Sequence, residues 1–329
     1  MLLISKFYTF FIHFYHLANS KIIYAKVSMI NSEFFQPKYL PTWILILLMK
    51  IGVFIPFRMQ VFLGKNMGKL FYHLFPRFRK IATINIQQCF SDKNTDQVHA
   101  LVKKHFESIG VSFFETANAY YAKDKKIQKL LHIENEHYLT DAMKNGGGII
   151  ILSSHFMPLM LGSRALSLKH TIANIYRPQN NRLFDKIMVK GLTNSGSIMI
   201  KNSDTKAIIK AIKNSLPIWY APDQDLGNRG SVFAPLFGIQ AATITATSRL
   251  AKGTNTAVIP YCFIRTNKGY HMSFSAPLEN YPSGDLVKDA SNTNQILEDQ
   301  IRKNPEQYLW IHRRFKTRPE GEEDFYPNI

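Results

Sequence analysis

The pattern of apolar and polar positions predicts one long helix in the middle of the chain. Over residues 95–121 the apolar side chains recur every three to four positions, which is the spacing of one helix face. They are Val98, Leu101, Val102, Phe106, Ile109, Phe113, Ala117 and Tyr120. Thr95 stands where a capping residue would begin this helix. We therefore predict an amphipathic helix that buries one face against a core.

The period changes after residue 145. Short, continuously apolar runs follow, and such runs are typical of strands buried on both faces of a sheet. They lie at residues 146–154, 171–178, 217–223 and 254–265. Stretches with helical spacing lie at residues 204–215, 240–253 and 286–305. Asp204 opens the first of these helices, and Gly253 and Pro305 end the other two. The alternation predicts an α/β fold with a central, mostly parallel sheet flanked by helices.

The N-terminal part of the chain is apolar and basic. Residues 1–91 carry eleven lysines and arginines and one acid, Glu33, within a chain whose net charge is +18. Residues 42–57 approach the ~20 apolar residues that a bilayer span needs, although Lys50 interrupts them. The pattern favours a membrane-associated helical segment, either a single transmembrane anchor or a helix in the membrane plane, with the bulk of the protein cytoplasmic. A buried core helix with a few exposed lysines is the alternative.

These patterns divide the chain into three parts. We assign residues 1–38 to an N-terminal extension, whose first 28 residues lack a clear signal-peptide cleavage site. Residues 39–80 are predicted to be the membrane anchor or interfacial helices, and residues 81–329 the α/β domain. The composition, 46% apolar and 19% charged, excludes a disordered chain. Two distant cysteines, Cys89 and Cys262, exclude a disulfide scaffold and give no metal-binding pattern.

One histidine stands out as candidate chemistry. His155 follows the apolar run at 146–154, where a sheet strand would end, and Pro158 allows a helix to begin soon after. A histidine at that edge of a sheet can act as a general base near neutral pH, and a capping histidine is the structural alternative. The common phosphate-binding, nucleophile-elbow and zinc motifs are absent from the sequence. Residues 223–234 start like a calcium loop but lack its ligands, because Gly227 and Ala234 occupy ligand positions.

Several longer blocks resemble the late lipid A acyltransferases, a family that acylates the Kdo-bearing lipid A precursor. The blocks are SSHFMPLMLGSRAL at 153–166, IYRPQNNRLFD at 175–185, WYAPDQDLGNRGSVFAPLFG at 219–238 and QYLWIHRRFKTRP at 307–319. The likeness covers about nine-tenths of the chain, from roughly residue 35 to the end. It implies a glycerolipid acyltransferase-like fold, and it makes His155 the favoured general base.

The sequence departs from the family pattern at one position. The family has Asp or Glu five positions after the histidine, where this chain has Met160. Three readings stay open. Asp223 or Asp225 substitutes for the acid, His155 works alone and more slowly, or the protein is a catalytically degraded paralogue that binds lipid. The resemblance further implies substrate-binding arginines, for which the candidates are Arg164, Arg177, Arg229 and Arg313, while Arg314 is expected at the surface.

The resemblance implies an acyl carrier protein thioester as the acyl donor and a hydroxyl of the Kdo-lipid A precursor as the acceptor. It implies no metal and no cofactor, contact with membrane lipids, and a place on the cytoplasmic side of a Gram-negative inner membrane. Two alternatives within enzymes are another glycolipid acceptor and an acyl-CoA donor. Outside enzymes, a membrane lipid-binding protein is the main alternative. A nucleic-acid binder rests on charge alone, and we expect none.

Overall fold

The computed structural model describes residues 32–327 and 329. The chain divides after Leu47 into two units, of which the first is described from Ser32 onwards and the second begins at Leu48. In the first unit, two short 3₁₀ segments, Ser32–Phe35 and Pro37–Tyr39, precede the start of helix α1 (Leu40–Gly52). The Trp43 indole N–H donates to the carbonyl of Phe34 across 2.8 Å. The prediction for the first 28 residues, and most of the predicted extension, lies outside the described residues.

The second unit begins with four consecutive helices, after which strands and helices mostly alternate. Its helices are α2 (Phe57–Leu74), α3 (Pro76–Cys89), α4 (Thr95–Tyr121), α5 (Asp124–Gln128), α6 (His137–Lys144), α7 (Leu159–Ser167), α8 (Arg182–Thr193), α9 (Thr205–Lys213), α10 (Ala246–Thr254) and α11 (Leu286–Lys303). Its strands are β1 (Leu131–Glu134), β2 (Ile149–Leu152), β3 (Ala173–Tyr176), β4 (Ile198–Lys201), β5 (Ile218–Tyr220), β6 (Ser231–Leu236), β7 (Ile239–Ile244), β8 (Ala257–Arg265) and β9 (Tyr270–Phe274). This order is that of an α/β fold.

Seven strands form one sheet in the order β1-β9-β8-β2-β5-β3-β4. Every neighbouring pair is parallel except β8 and β9, so the prediction of a mostly parallel central sheet is confirmed. Strand β2 lies at the centre and is buried at all four positions. Helices cover both faces of such a sheet, which explains why its strands read as continuous apolar runs. The carboxyl ends of β2, β5, β3 and β8 therefore meet along one edge.

Strands β6 and β7 form a separate antiparallel hairpin. Phe237 and Gly238 turn the chain between them, with φ of 53° and 75°, the pair of positive values that a tight hairpin turn requires. This is where the sequence prediction was wrong. Residues 240–253 were predicted to be one helix, but residues up to Ile244 pair with β6, and the helix begins only at Ala246.

Some helices are capped or ended by the residues that the sequence predicted, and others are not. The long helix spans residues 95–121 as predicted, but its capping residue is Asn94, which exchanges hydrogen bonds with Gln97. The Asp204 side chain caps α9 as predicted. Helix α10 ends one residue beyond Gly253, and Asn255 takes the left-handed conformation there with φ of 49°. Asparagine tolerates that conformation better than most side chains.

The predicted transmembrane helix is not supported. No helix within residues 32–327 is both long enough and apolar enough to cross a bilayer. Helix α1 ends at Gly52, and Pro56 separates it from α2, so the apolar run of residues 42–57 does not continue as one helix.

Candidate active site

The sheet brings His155 and Asp223 together. Strands β2 and β5 are parallel neighbours in which Leu152 pairs with Tyr220. His155 and Asp223 each lie three residues beyond that last pair, on adjacent loops at the carboxyl edge. The Nδ1 atom of His155 lies 2.7 Å from Oδ1 of Asp223, and the His155 backbone N–H donates to Oδ2 across 2.9 Å. Both carboxylate oxygens thus hold the same residue.

This contact fixes the tautomer of the histidine. An ionised carboxylate can only accept hydrogen bonds, so the proton of a neutral His155 ring is on Nδ1, and Nε2 carries the lone pair. The side chain of Asp223 is 5% exposed and that of His155 is 22% exposed, so water reaches the histidine but hardly the acid. Such a buried carboxylate can orient an imidazole whose other nitrogen is open to solvent.

The two groups shift each other's protonation. Burial by itself lowers the pKa of His155, but the charge of Asp223 and the hydrogen bond to it outweigh burial, so the pKa of His155 is raised above its ordinary value. For Asp223, burial works to raise the pKa, and the charge and hydrogen bonds of His155 prevail and lower it. The pair therefore favours a carboxylate next to an imidazole that readily accepts a proton.

His155 opens onto a cavity of about 650 Å³. Its lining residues come from the ends of β3, β4 and β5, from the loop after β2, and from helices α7, α8, α9 and α10. Its walls are largely apolar, with side chains that include Leu159, Met160, Ile175, Met188, Leu192, Met199, Ile208 and Leu250. Two arginines, Arg177 and Arg249, also line it, and both are exposed to solvent. A long apolar space with cationic residues at its surface suits an acyl chain attached to a polar group.

Met160 lies in the wall of the cavity that also includes His155. Its thioether is a weak acceptor and carries no charge, so it cannot orient an imidazole or stabilise an imidazolium. The geometry therefore places Asp223, one of the two predicted substitutes, in contact with His155. The Ser154 hydroxyl donates instead to Gln300 across 3.3 Å, and so no bond connects it to the His155 ring.

Asp225, the other predicted substitute, is engaged elsewhere. Its carboxylate accepts from the backbone N–H and the hydroxyl of Thr317, each at 2.8 Å, and from the Gly227 N–H at 2.9 Å. Its own N–H donates to Nε2 of His312 across 3.1 Å. Burial, reinforced by nearby cations, lowers the pKa of His312 to about 4, so that nitrogen stays free to accept at neutral pH. Asp225 fixes a loop and does not reach His155.

Residues 307–317, here called the C-terminal clasp, hold both loops of the site. The Met157 N–H donates to the carbonyl of Gln307 across 2.7 Å, and the Leu309 N–H donates to the carbonyl of His155 across 3.0 Å. The buried Tyr308 lies beside Asp223, and burial together with that negative charge raises the pKa of its hydroxyl. The other end of the clasp holds Asp225 through Thr317. The segment thus supports the loops that carry His155, Asp223 and Asp225.

The predicted arginines do not all meet at the cavity. Arg177 lines it, whereas Arg164 is buried in α7 with Nη2 2.5 Å from Oδ1 of Asp124, so the prediction that Arg164 contacts substrate is not supported by its position. Arg229 is exposed on the loop before β6, and Arg313 is half-buried in the clasp. Arg314 was expected at the surface but is 2% exposed, and it donates to the Ala242 carbonyl and the Thr243 hydroxyl.

Sequence reasoning missed His312 and Thr317 as supports of the site, and Arg249 as a cation at the cavity. The first two lie in the QYLWIHRRFKTRP block, which the resemblance had marked without assigning them roles. Within the described part of the chain, no group of three or more histidine, cysteine or acidic side chains is arranged to hold a metal ion.

Comparison with known proteins finds several lipid A biosynthesis acyltransferases that are similar to this chain over most of its length. The chain is 33% identical over 299 residues to the lipid A biosynthesis palmitoleoyltransferase of Escherichia coli K12, covering 90% of this chain and 97% of that protein. It is 35% identical over 294 residues to the lauroyltransferase of the same organism, covering 88% and 96%. A lipid A biosynthesis acyltransferase of Haemophilus influenzae is 34% identical over 301 residues, covering 90% and 96%.

Among solved structures, the 1-acyl-sn-glycerophosphate acyltransferase of Thermotoga maritima matches with a TM-score of 0.33 and 11% identity, over 73% of this chain and 94% of that one. A likeness at that level supports no inference about the site. The family model described as bacterial lipid A biosynthesis acyltransferase matches residues 29–317. With that match and three full-length relatives above 30% identity, the chain belongs to the bacterial lipid A biosynthesis acyltransferase family.

Proposed function

We propose that this enzyme transfers a fatty acyl chain from an acyl carrier protein thioester to a hydroxyl of the Kdo-lipid A precursor, with His155 as the general base and Asp223 as its orienting acid. The observation that carries the proposal is the double contact between these residues, from Nδ1 and from the backbone N–H of His155 to the two oxygens of Asp223. Family membership supports the acyl transfer, and the contact supplies the acid that Met160 cannot.

The proposed reaction needs one base and no covalent acyl-enzyme. Nε2 of His155 takes the proton of the acceptor hydroxyl as that oxygen attacks the thioester carbonyl carbon. A carbon–oxygen bond forms, and the carbonyl oxygen becomes an oxyanion. When the tetrahedral intermediate collapses, the carbon–sulfur bond breaks, and the proton on the imidazolium passes to the leaving thiolate. Asp223 keeps the ring oriented and stabilises the imidazolium for as long as His155 carries the proton.

The oxyanion requires hydrogen-bond donors near the His155 ring. The backbone amides of Phe156, Met157 and Leu159 already donate to carbonyl groups. The amides of Met160 and Leu161, in the first turn of α7, are therefore the proposed donors, and the partial positive charge of a helix start favours an anion there. Arg177, at the same cavity, is the proposed cationic contribution.

The shape and charge of the protein fit the proposed substrates. The apolar cavity is within the range of small-molecule sites, and its flexible methionines, Met160, Met188 and Met199, can adapt to an acyl chain. Arg177, Arg229 and Arg313 are proposed to contact phosphate or carboxylate groups of the acceptor. The net charge of +18 favours association with an acidic carrier protein. We propose no cofactor, because the resemblance implies none.

The proposed working place is the cytoplasmic face of the inner membrane, reached by interfacial binding. In residues 48–78 several large apolar side chains are exposed to solvent, as expected for a surface that contacts lipid. They include Ile51 at 54%, Phe54 at 87%, Phe62 at 61% and Leu70 at 55%. Basic side chains lie between them, which favours an anionic leaflet.

The test is acyl transfer from acyl carrier protein to the Kdo-lipid A precursor in membranes. We expect activity in the wild type, loss in His155→Ala and in Asp223→Asn, and retention in Asp141→Asn, a surface control whose carboxylate pairs with the exposed Lys144. A silent wild type that becomes active as Met160→Glu would instead identify a disabled acyltransferase, for which lipid binding indifferent to His155→Ala is the remaining function. A wild type that transfers acyl groups only to another glycolipid, or only from acyl-CoA, would overturn the assigned substrates.

A further inference from the structure

A second cavity of about 630 Å³ shares no lining residue with the one at His155. It lies between the start of α2, the middle of α4, the turn that joins β8 to β9, and the start of the clasp. Five of its lining residues are cationic and two are acidic; they are Arg58, Lys65, Lys104, Arg265 and Lys268, with Glu107 and Glu306. We call this cavity the basic cleft.

Two of the five cations are engaged by neighbouring acids. Arg265 donates to Oε1 of the buried Glu115 across 2.6 Å and to the Ser108 hydroxyl across 2.5 Å. Lys65 lies 4.0 Å from Glu107, at the outer limit of an ion pair. These contacts hold one wall of the cleft in place. They use guanidinium and ammonium groups that are consequently less available to a ligand.

The other three cations have no such partner. Within residues 32–327, no carboxylate lies at ion-pairing distance from Arg58, Lys104 or Lys268, and all three side chains are exposed. They come from three different elements, α2, α4 and the β8–β9 turn, and so their convergence on one cavity is a property of the fold. Like charges gathered around a concave space are complementary to an anion that carries more than one acceptor oxygen.

The surroundings of the cleft indicate what the anion is attached to. On α2, Phe62 lies four residues after Arg58 and three before Lys65, so the three share one helix face. Phe62 is 61% exposed, and the neighbouring Met59 and Leu63 are 49% and 39% exposed. An anion held in the cleft would thus lie next to apolar side chains that are exposed to solvent. That combination fits a charged headgroup whose apolar tails continue into a bilayer.

We propose that the basic cleft binds the phosphate-bearing headgroup of an anionic membrane lipid, with Arg58, Lys104 and Lys268 as its ligands. The guanidinium of Arg58 suits two phosphate oxygens at once, and the two lysines act as point charges. The headgroup is that of a bulk phospholipid or of the phosphorylated acceptor itself. The site extends the interfacial binding described above, since it would hold the exposed face of α2 against the membrane while His155 works at a separate cavity.

The experiment is vesicle co-sedimentation of the full-length protein, without any acyl donor. Wild type is compared with Arg58→Gln/Lys104→Gln/Lys268→Gln and with the matched control Lys206→Gln/Lys210→Gln/Lys213→Gln, which removes three exposed lysines from α9. The vesicles contain phosphatidylcholine alone, with phosphatidylglycerol, or with the lipid A precursor. We expect the cleft variant to lose about tenfold or more in affinity for anionic vesicles, and the control to change by about twofold or less.

The outcomes distinguish the two possible lipids and include results that would overturn the proposal. Loss with phosphatidylglycerol identifies bulk anionic lipid, and loss only with the lipid A precursor identifies the acceptor. Equal losses in both variants would mean unspecific attraction and would overturn the site, as would unchanged binding in the cleft variant. Binding to acyl carrier protein is measured separately, in the absence of vesicles; if the cleft variant keeps vesicle binding but loses binding to that protein, the cleft docks a protein and the lipid proposal is wrong. Because no acyl transfer is measured, failure of the proposed reaction would leave these results unaffected.

Discussion

Thr317 donates two hydrogen bonds to Asp225, one from its backbone N–H and one from its hydroxyl, across 92 residues of sequence. Asp225 in turn lies two positions beyond Asp223 and receives no bond from His155. Asp225, which the sequence offered as a candidate acid, thus supports the loop on which Asp223 contacts His155. Its value to catalysis would therefore be positional.

Thr317→Val keeps the size of the side chain and removes its hydroxyl. We expect kcat to fall by about fivefold to tenfold with KM nearly unchanged, since the Asp223 loop loses one of its supports. The free energy of unfolding should fall by about 1–2 kcal/mol, because a buried acceptor loses a donor. Thr317→Ser should restore kcat. A purely structural role would lower the stability of Thr317→Val without the selective fall in kcat.

Asp223→Asn should lower kcat by about 10³–10⁴-fold, by analogy with removing the orienting acid of a Ser-His-Asp site. The amide can no longer stabilise an imidazolium, and it can donate to Nδ1 and so favour the wrong tautomer. Steady-state kinetics with the natural donor and acceptor would measure this. A fall of less than about tenfold would show that His155 works without Asp223.

The pH dependence follows from the raised pKa of His155. A general base must be unprotonated, so kcat/KM should fall as the pH falls through a pKa above the ordinary value of 6.5. In Asp223→Asn the attraction that raises this pKa is gone and burial still lowers it. The acidic limb of the residual activity should therefore move to lower pH. A limb at the same pH in both proteins would contradict the pairing.

Met160→Glu should add little to the wild-type rate, because Nδ1 of His155 is already occupied by Asp223. Introduced into Asp223→Asn, the same glutamate should recover part of the lost activity, since it supplies a carboxylate to the cavity wall that includes the histidine. The four proteins form a double-mutant cycle, and we expect a coupling of about 1–3 kcal/mol. Simple additivity would show that the two positions do not serve the same ring.

Gly68→Ala should destabilise the protein by about 1–3 kcal/mol. Helices α2 and α4 pack so closely that a Cβ on Gly68 would overlap the backbone carbonyl of Phe106, and the facing Gly110 has no room for one either. Gly253→Ala is the control, because that helical position faces open space and should be neutral or slightly stabilising. Chemical denaturation of both variants would give the free energies of unfolding.

The sequence allowed much of this fold to be predicted, for physical reasons. The helix at residues 95–121 is long and strictly periodic, and strands such as β2 and β8 are apolar at nearly every position because both faces are covered. Residues 239–244 misled the prediction because their Ala and Thr side chains suit a helix and an edge hairpin alike. The apolar run at 42–57 resembled a membrane span, although a helix end and a proline divide it.

The candidate site, too, could be predicted from the sequence only in part. His155 and Asp223 each follow a recognisable strand, so their position at one sheet edge could be expected, and Asp223 was one of two acids considered. Choosing between Asp223 and Asp225 required the contact of Asp223 with His155 and that of Asp225 with Thr317, and no local sequence pattern reveals contacts over such separations. The burial of Arg164 and Arg314 was missed for a similar reason, since a sequence marks a charge but not the acid or carbonyl that it meets in the folded protein.

The clasp has a consequence for how the enzyme matures. Among the described residues, all nine strands precede residues 307–317 in the sequence, so the ribosome makes the strands first. The hydrogen bonds that this segment makes with the loops of His155 and Asp225 can form only after it has been synthesised. A nascent chain that has reached residue 304 therefore lacks the supports that residues 307–317 give to these two loops. On the proposed mechanism, competence for acyl transfer would be acquired in a late docking step, after the helices near the N-terminus have been synthesised.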